Sequence, residues 1–276
     1  MSMHRNVDLI ALDLDYTLFD ECRLVSPNNF EAIARAKEAG IVVTVCTARM
    51  HPAAEFEAKK AGIDAPLVVC NGSCIYHRGK VIYSNPMTNA QIGRLCNLLD
   101  PMGASYYVST VNEAVTNDYE VCGAYYRFWH VGDTGFDAIP LVTYSTAKRI
   151  VPAVGDGGLR LSVVSEDQGV LKRARAALET VEGVEVYDSW HNNVEVMAPG
   201  GKGLGITKLC AILGIDPQRA MAIGDSSSDI SMLEAVGYPV AVGNASKALK
   251  AVARFETRAC SDDGVAHAID AIAFGR

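Results

Sequence analysis

The chain is written in short, nearly unbroken apolar runs. Each is cut off by a polar residue and separated from the next by a stretch of helical periodicity. Residues 7–12, 41–46, 67–70 and 220–223 are the clearest of these runs. Four to six apolar residues without alternation fit a strand buried on both faces, the situation of a parallel sheet. Between the first two runs, Ser26 can cap a helix and Pro27 suits its first position. Phe30, Ile33, Ala34 and Lys37 follow at helical spacing, and Gly40 ends the helix. Strand, helix and strand with short links make a βαβ unit, whose crossover is right-handed. A helix over about 52–61 leads to the third run, and a hairpin is expected over 75–83 around Arg78-Gly79-Lys80. The same rhythm returns near the end. Gly200-Gly201-Lys202-Gly203 opens a helix ended by Gly214, 239–242 reads as a strand, and a last helix is expected over 264–273.

From about residue 85 the texture changes. A helical stretch over 90–99 places Ile92, Leu95, Cys96 and Leu99 on one face. Strands are expected at 105–111, 148–151 and 159–164, then a helix over 168–181. Residues 184–187 and 194–196 alternate like half-exposed strands. The block holds both tryptophans, Trp129 and Trp190. The expected organisation is an α/β core with a doubly wound, mostly parallel sheet from residues 1–84 and 196–276, and an inserted α+β module at 85–195.

Composition excludes some functions. A formal net charge of −7 and the lack of a concentrated basic stretch disfavour nucleic acid as a partner. No apolar stretch is long enough to span a bilayer, and the first residues lack a signal-peptide pattern. The eight cysteines are scattered, with no CxxC framework for zinc. Free thiols in the cytoplasm are the expectation.

In a doubly wound sheet the carboxyl ends of the strands open on one edge, where ligands bind. The polar residues that end the runs can therefore share a site: Asp13 and Asp15, Thr47, Lys202, and Asp225 with Asp229. Taken singly, each has a plain reading. An acidic pair after a strand can be a solvated turn, and Asp225 or Asp229 can cap the next helix. Lys202 can be a solvated loop lysine; Gly203 after it rules out a Walker A loop, and no GxGxxG follows a strand. Together they supply carboxylates, a hydroxyl donor and a cation, which is the inventory of phosphoryl transfer.

The four motifs, in this order and at these strand ends, resemble the haloacid-dehalogenase superfamily. The inserted block is similar to the large α/β cap (C2B type) of its Cof-type sugar-phosphate phosphatases. The resemblance covers nearly the whole chain and implies a role for each residue. Asp13 would attack phosphorus and carry an aspartyl-phosphate. Asp15 would protonate the leaving oxygen and then take a proton from the hydrolytic water. Asp13, the backbone carbonyl of Asp15, and Asp225 would hold Mg²⁺, with Asp229 a further ligand or an orienting group. Thr47 and Lys202 would stabilise charge on the transferred group. The loop residues Ala48 and Arg49, with Asn71 and Asn244, would join Thr47 and Lys202 around the substrate; a surface salt bridge for Arg49 and a turn role for Asn244 are the rivals. Two departures stand out: Tyr16 where many Cof-type members carry Gly, and Ser228 where the fourth motif usually has Asn.

The implied function is Mg²⁺-dependent hydrolysis of small phosphorylated metabolites such as sugar phosphates. The alternatives are a phosphomutase using the same aspartyl-phosphate, and an inactive metabolite-binding or regulatory protein. Specificity is expected from the inserted block, where Arg127, Trp190 and His191 are candidate contacts. The sequence does not fix the oligomeric state.

Overall fold

The computed structural model describes residues 7–111, 113–130 and 140–276; the side chains of 128–130, 156 and 188–190, including the expected contact Trp190, lie outside that description. The chain forms two compact units. The first comprises residues up to Ala48, Ala54–Tyr83 and Gly200–Arg276; the second comprises Arg49–Ala53 and Ser84–Pro199.

The chain first lays down β1 (Leu9–Leu12), α1 (Pro27–Glu38), β2 (Val42–Val45), α2 (His51–Lys60) and a hairpin group, β3 (Leu67–Val69), β4 (Cys74–His77) and β5 (Lys80–Ser84). The second unit adds α3 (Asn89–Leu99), β6 (Ser105–Ser109), β7 (Ala114–Thr116), α4 (Tyr119–His130), β8 (Leu141–Thr143), α5 (Ala147–Val154), β9 (Arg160–Val164), α6 (Gln168–Leu178), β10 (Glu185–Trp190) and β11 (Asn193–Met197). The chain then returns with α7 (Gly201–Leu213), β12 (Ala220–Gly224), α8 (Ile230–Glu234), β13 (Tyr238–Ala241), α9 (Lys247–Val252), β14 (Phe255–Glu256) and α10 (Gly264–Ala268).

In the first unit the sheet order is β14-β13-β12-β1-β2, and every pairing is parallel. β1 is an interior strand and fully buried, with β2 on one side and β12 on the other. The strand order reverses about β1, so its carboxyl end is a topological switch point, where such sheets bind ligands. Ser26 caps α1 as the sequence suggests, its hydroxyl accepting from the Asn29 amide at 3.1 Å.

The second unit carries a six-stranded sheet, β10-β11-β9-β6-β7-β8, antiparallel except for β7 with β8. One face is apolar, with Tyr106, Leu161, Val163, Val194 and Val196 packed with Leu95 and other residues of the helices. The other face is polar: Arg160 and Glu195 form a buried ion pair at 3.1 Å beside Ser162. Two expectations fail here. Residues 148–151 are not a strand but lie in α5, which buries Ala147, Ile150 and Val154 along one face. That three-to-four spacing outweighs the β-branched local composition. Residues 194–196 are not half-exposed: β11 is buried at all five positions, because it lies between two strands and its polar side chains face the Arg160 ion pair. The short strands β7, β8 and β14 and the helices α4 and α9 went unread in the sequence. Among the described residues, no helix is long and apolar enough to cross a membrane.

Candidate active site

β1 delivers Asp13 directly from the interior of the sheet. The Asp13 amide donates to the Ile223 carbonyl of β12 at 3.0 Å, so the segments bearing Asp13 and Asp225 are bonded to each other. Leu14–Leu18 then form one wide turn, closed by Leu18 N–H to the Asp13 carbonyl (3.3 Å) and Phe19 N–H to the Leu14 carbonyl (2.8 Å). Within it Tyr16 is left-handed, with φ 61° and ψ 12°. Such a conformation is strained for a residue with a side chain, and persists only where the surroundings hold it. This chain bends a tyrosine into a region that glycine enters freely.

Lys202 stands on the first turn of α7. Although it can be read as a solvated lysine, it is 2% exposed. Its Nζ donates to Asp13 Oδ1 at 2.6 Å and to Asp229 Oδ1 at 2.5 Å. Glycine lets α7 come close enough. A Cβ on Gly203 would lie 2.3 Å from the Ser231 carbonyl oxygen, and one on Gly72 would lie 2.0 Å from the Gly201 carbonyl oxygen. The Gly203 amide also donates to Ser231 Oγ at 3.1 Å. Gly203→Ala is therefore expected to push the start of α7 away from Ser231, costing about 1–3 kcal/mol of stability. In a urea titration with a parallel activity assay, turnover is expected to fall with stability; an unchanged midpoint would remove the close-packing argument.

β12 ends at Gly224 and presents Asp225. Thr17 Oγ1 donates to Asp225 Oδ1 at 3.3 Å. Asp229 is fully buried and uses both oxygens. Oδ1 accepts from the Lys202 ammonium, and Oδ2 accepts from the Asp225 and Ser226 amides at 3.0 and 3.1 Å. The Ser228 hydroxyl lies 2.9 Å from Ser226 Oγ. Sequence reading gave Thr17 no role; its signal was its place two residues after Asp15.

Asp13, Asp225 and Asp229 each offer one oxygen, all within 4.8 Å of one another. Three carboxylates face one ammonium, so the group carries excess negative charge when ionised. Burial raises the Asp13 pKa well above the carboxylate range, with Asp229 and Asp225 adding to it and Lys202 opposing. Burial and Asp229 push Asp225 up to about 7. Burial works against the charge on Lys202, but Asp13 and Asp229 outweigh it and hold the ammonium protonated. Crowded, half-compensated oxygen donors suit a small hard cation such as Mg²⁺.

The other expected residues divide. Thr47 is buried at the end of β2; its amide donates to Val68 O and its carbonyl accepts from the Asn71 amide, both at 3.0 Å. Thr47, Ala48 and Asn71 thus belong to the first unit, whereas buried Arg49 belongs to the second. Asn244 bonds to protein on both sides: its Nδ2 donates to the Tyr16 carbonyl and its Oδ1 accepts from the Cys260 amide, each at 2.8 Å.

The model of the haloacid dehalogenase-like hydrolases matches residues 10–269 of this chain. The chain belongs to that family. This hydrolase is 31% identical to a 5-amino-6-(5-phospho-D-ribitylamino)uracil phosphatase of Bacillus subtilis, over 97% of its own length and 98% of the relative's. It is 30% identical to the pyridoxal phosphate phosphatase of Escherichia coli, over 95% and 97% of the two chains. Its fold is similar to a haloacid dehalogenase-like hydrolase from B. subtilis, with a TM-score of 0.82 at 24% identity, over 96% and 99% of the chains.

Proposed function

We propose that this hydrolase is a Mg²⁺-dependent phosphatase that cleaves small phosphorylated metabolites, sugar phosphates among them, through an aspartyl-phosphate on Asp13. The observation that supports the reading best is the buried Lys202 ammonium held between Asp13 and Asp229. The named phosphatase relatives support it independently.

Asp13 comes off a buried interior strand, and Lys202 fixes one of its oxygens. The remaining oxygen attacks phosphorus; the P–O bond to the leaving group breaks as the Asp13–phosphorus bond forms. Asp15, half-buried on the following turn, gives its proton to the departing oxygen. It then takes one from the water that attacks the aspartyl-phosphate, releasing phosphate and restoring Asp13. Thr47, Ala48, Asn71 and Lys202 are proposed to receive the phosphoryl oxygens. Asp13, the Asp15 carbonyl and Asp225 would hold Mg²⁺, whose charge offsets that of nucleophile and phosphate. Asp229 is committed to Lys202 and two amides, so we assign it an orienting role. The second unit is proposed to select the leaving group, and the protein is proposed to work in a reducing compartment, as its scattered cysteines suggest.

A panel of phosphorylated metabolites, assayed for phosphate release with and without Mg²⁺, tests the reading; no turnover of any ester with the metal would sink it. Hydrolysis in ¹⁸O-water is expected to label the released phosphate, whereas a phosphomutase would pass the group to a second substrate hydroxyl unlabelled.

Metal binding should depend on pH. Because the folded-state pKa of Asp225 lies above that of a free aspartate, the metal-free protein loses stability as pH rises through about 7. A cation that needs the ionised carboxylates therefore raises Tm more at pH 8 than at pH 6. At Mg²⁺ about a hundredfold above its Kd the gain is about 2.7 kcal/mol. Equal Tm shifts at both pH values would contradict the assignment of Asp225 as a ligand.

A further inference from the structure

The loop after β13 touches both acidic segments of the first unit. Its Ser246 amide donates to the Asp225 carbonyl at 2.8 Å. Its Asn244 side chain spans from the Tyr16 carbonyl to the Cys260 amide, both at 2.8 Å. A backbone carbonyl can only accept and a backbone N–H can only donate, so the orientation of the carboxamide is fixed. The loop itself is anchored by the Gly243 amide, which donates to the Arg258 carbonyl at 2.9 Å. A Cβ on Gly243 would lie 2.7 Å from the Ala259 nitrogen.

The bond to Tyr16 falls on the strained residue. Tyr16 has φ 61° where an L side chain resists that conformation, and its carbonyl is the one that Asn244 holds. We infer that Asn244 is a positioning residue: its carboxamide clamps the left-handed turn at Tyr16 and thereby aims Asp13 and Asp15, instead of binding substrate. The inference rests on the phosphatase reading for its catalytic consequence, but the clamp itself is a property of the fold. A glycine at position 16 needs no clamp, because it enters the left-handed region freely. The tyrosine makes the clamp necessary in this chain.

The test uses the full chain and p-nitrophenyl phosphate as a generic ester. Asn244→Ala is expected to lower kcat on the order of ten- to a hundredfold through misplacement of the reacting carboxylates, with KM unchanged. Tyr16→Gly added to Asn244→Ala is expected to restore most of the loss. A raised KM with kcat retained would instead make Asn244 a substrate contact and overturn the inference, as would a double variant no more active than Asn244→Ala. An arm independent of turnover separates this from failure of the phosphatase reading. In hydrogen–deuterium exchange, Asn244→Ala should speed exchange of the Leu18 and Phe19 amides, which close the turn, while exchange in β1 stays slow. Unchanged exchange at Leu18 and Phe19 refutes the clamp whether or not the protein hydrolyses esters. Faster exchange in a protein that hydrolyses no ester upholds the clamp and removes only the phosphatase reading.

Discussion

Replacing Asp13 by Asn is expected to abolish phosphate release while leaving the protein folded. The amide keeps the size and one hydrogen-bonding oxygen of the carboxylate but is no nucleophile toward phosphorus. Loss of the attacking group should cost at least about 10⁴-fold in kcat. Folding should tolerate the change for an electrostatic reason. Asp13 is buried beside Asp225 and Asp229, and those neighbours disfavour its charged form. Removing that charge relieves repulsion even as it weakens the Lys202 contact, and Lys202 retains Asp229 at 2.5 Å. The measurements are phosphate release with Mg²⁺ present and a urea unfolding midpoint. A folded variant with parental turnover would exclude Asp13 as the nucleophile; an inactive variant beside an active parent would exclude a merely binding protein.

Lys202→Met should fail on both counts. The methionine fills the space but leaves Asp13 and Asp229 buried without their cation. Breaking one side of a buried ion pair costs about 3–5 kcal/mol, because the remaining charge is desolvated and uncompensated. The effect should depend on pH. Without Lys202 the folded-state pKa of Asp13, already raised by burial, rises further above that of the unfolded chain, so the variant loses more stability as pH rises. Unfolding at pH 5.5 and pH 8 reads this directly, with the gap to the parent wider at pH 8. Mg²⁺ should narrow the gap at pH 8 without restoring turnover. A variant as stable as the parent at both pH values would mean that Lys202 does not compensate the acids.

Much of the first unit was legible because its constraints are local. Two-face burial leaves an uninterrupted apolar run, and the strands around Leu9–Leu12 and Ala220–Gly224 were read nearly whole. The polar residues at their ends were equally visible, since a parallel sheet gathers strand ends on one edge. What stayed hidden depended on partners far away in sequence. Nothing about Lys202 says that it is buried; that follows from glycines 72, 203 and 205, which let helix and loop approach. Thr17 and Asn244 carry polar side chains of a common kind, and only the structure gives them partners in Asp225 and Tyr16. In the second unit, residues 148–151 have strand-like composition, but the packing of Ile150 and Val154 decides for helix. Glu195 looks like a solvent-facing position until Arg160 is found paired with it from the neighbouring strand.

The pairing of β1 with β12 has a consequence for synthesis. Leu9 lies opposite Ala220, so the two strands that carry the acids emerge from the ribosome more than two hundred residues apart. At roughly 5–20 residues per second, β1 waits about ten seconds or more for its neighbour, with only β2 to pair against. The whole second unit is made in that interval. Its own sheet needs no later residues, so it can be complete while the Asp13 segment still has an open edge. Birth order is thus inverted relative to assembly: the first strand translated is among the last to be finished, and a ribosome stalled before residue 220 would display a folded insert on an unclosed core.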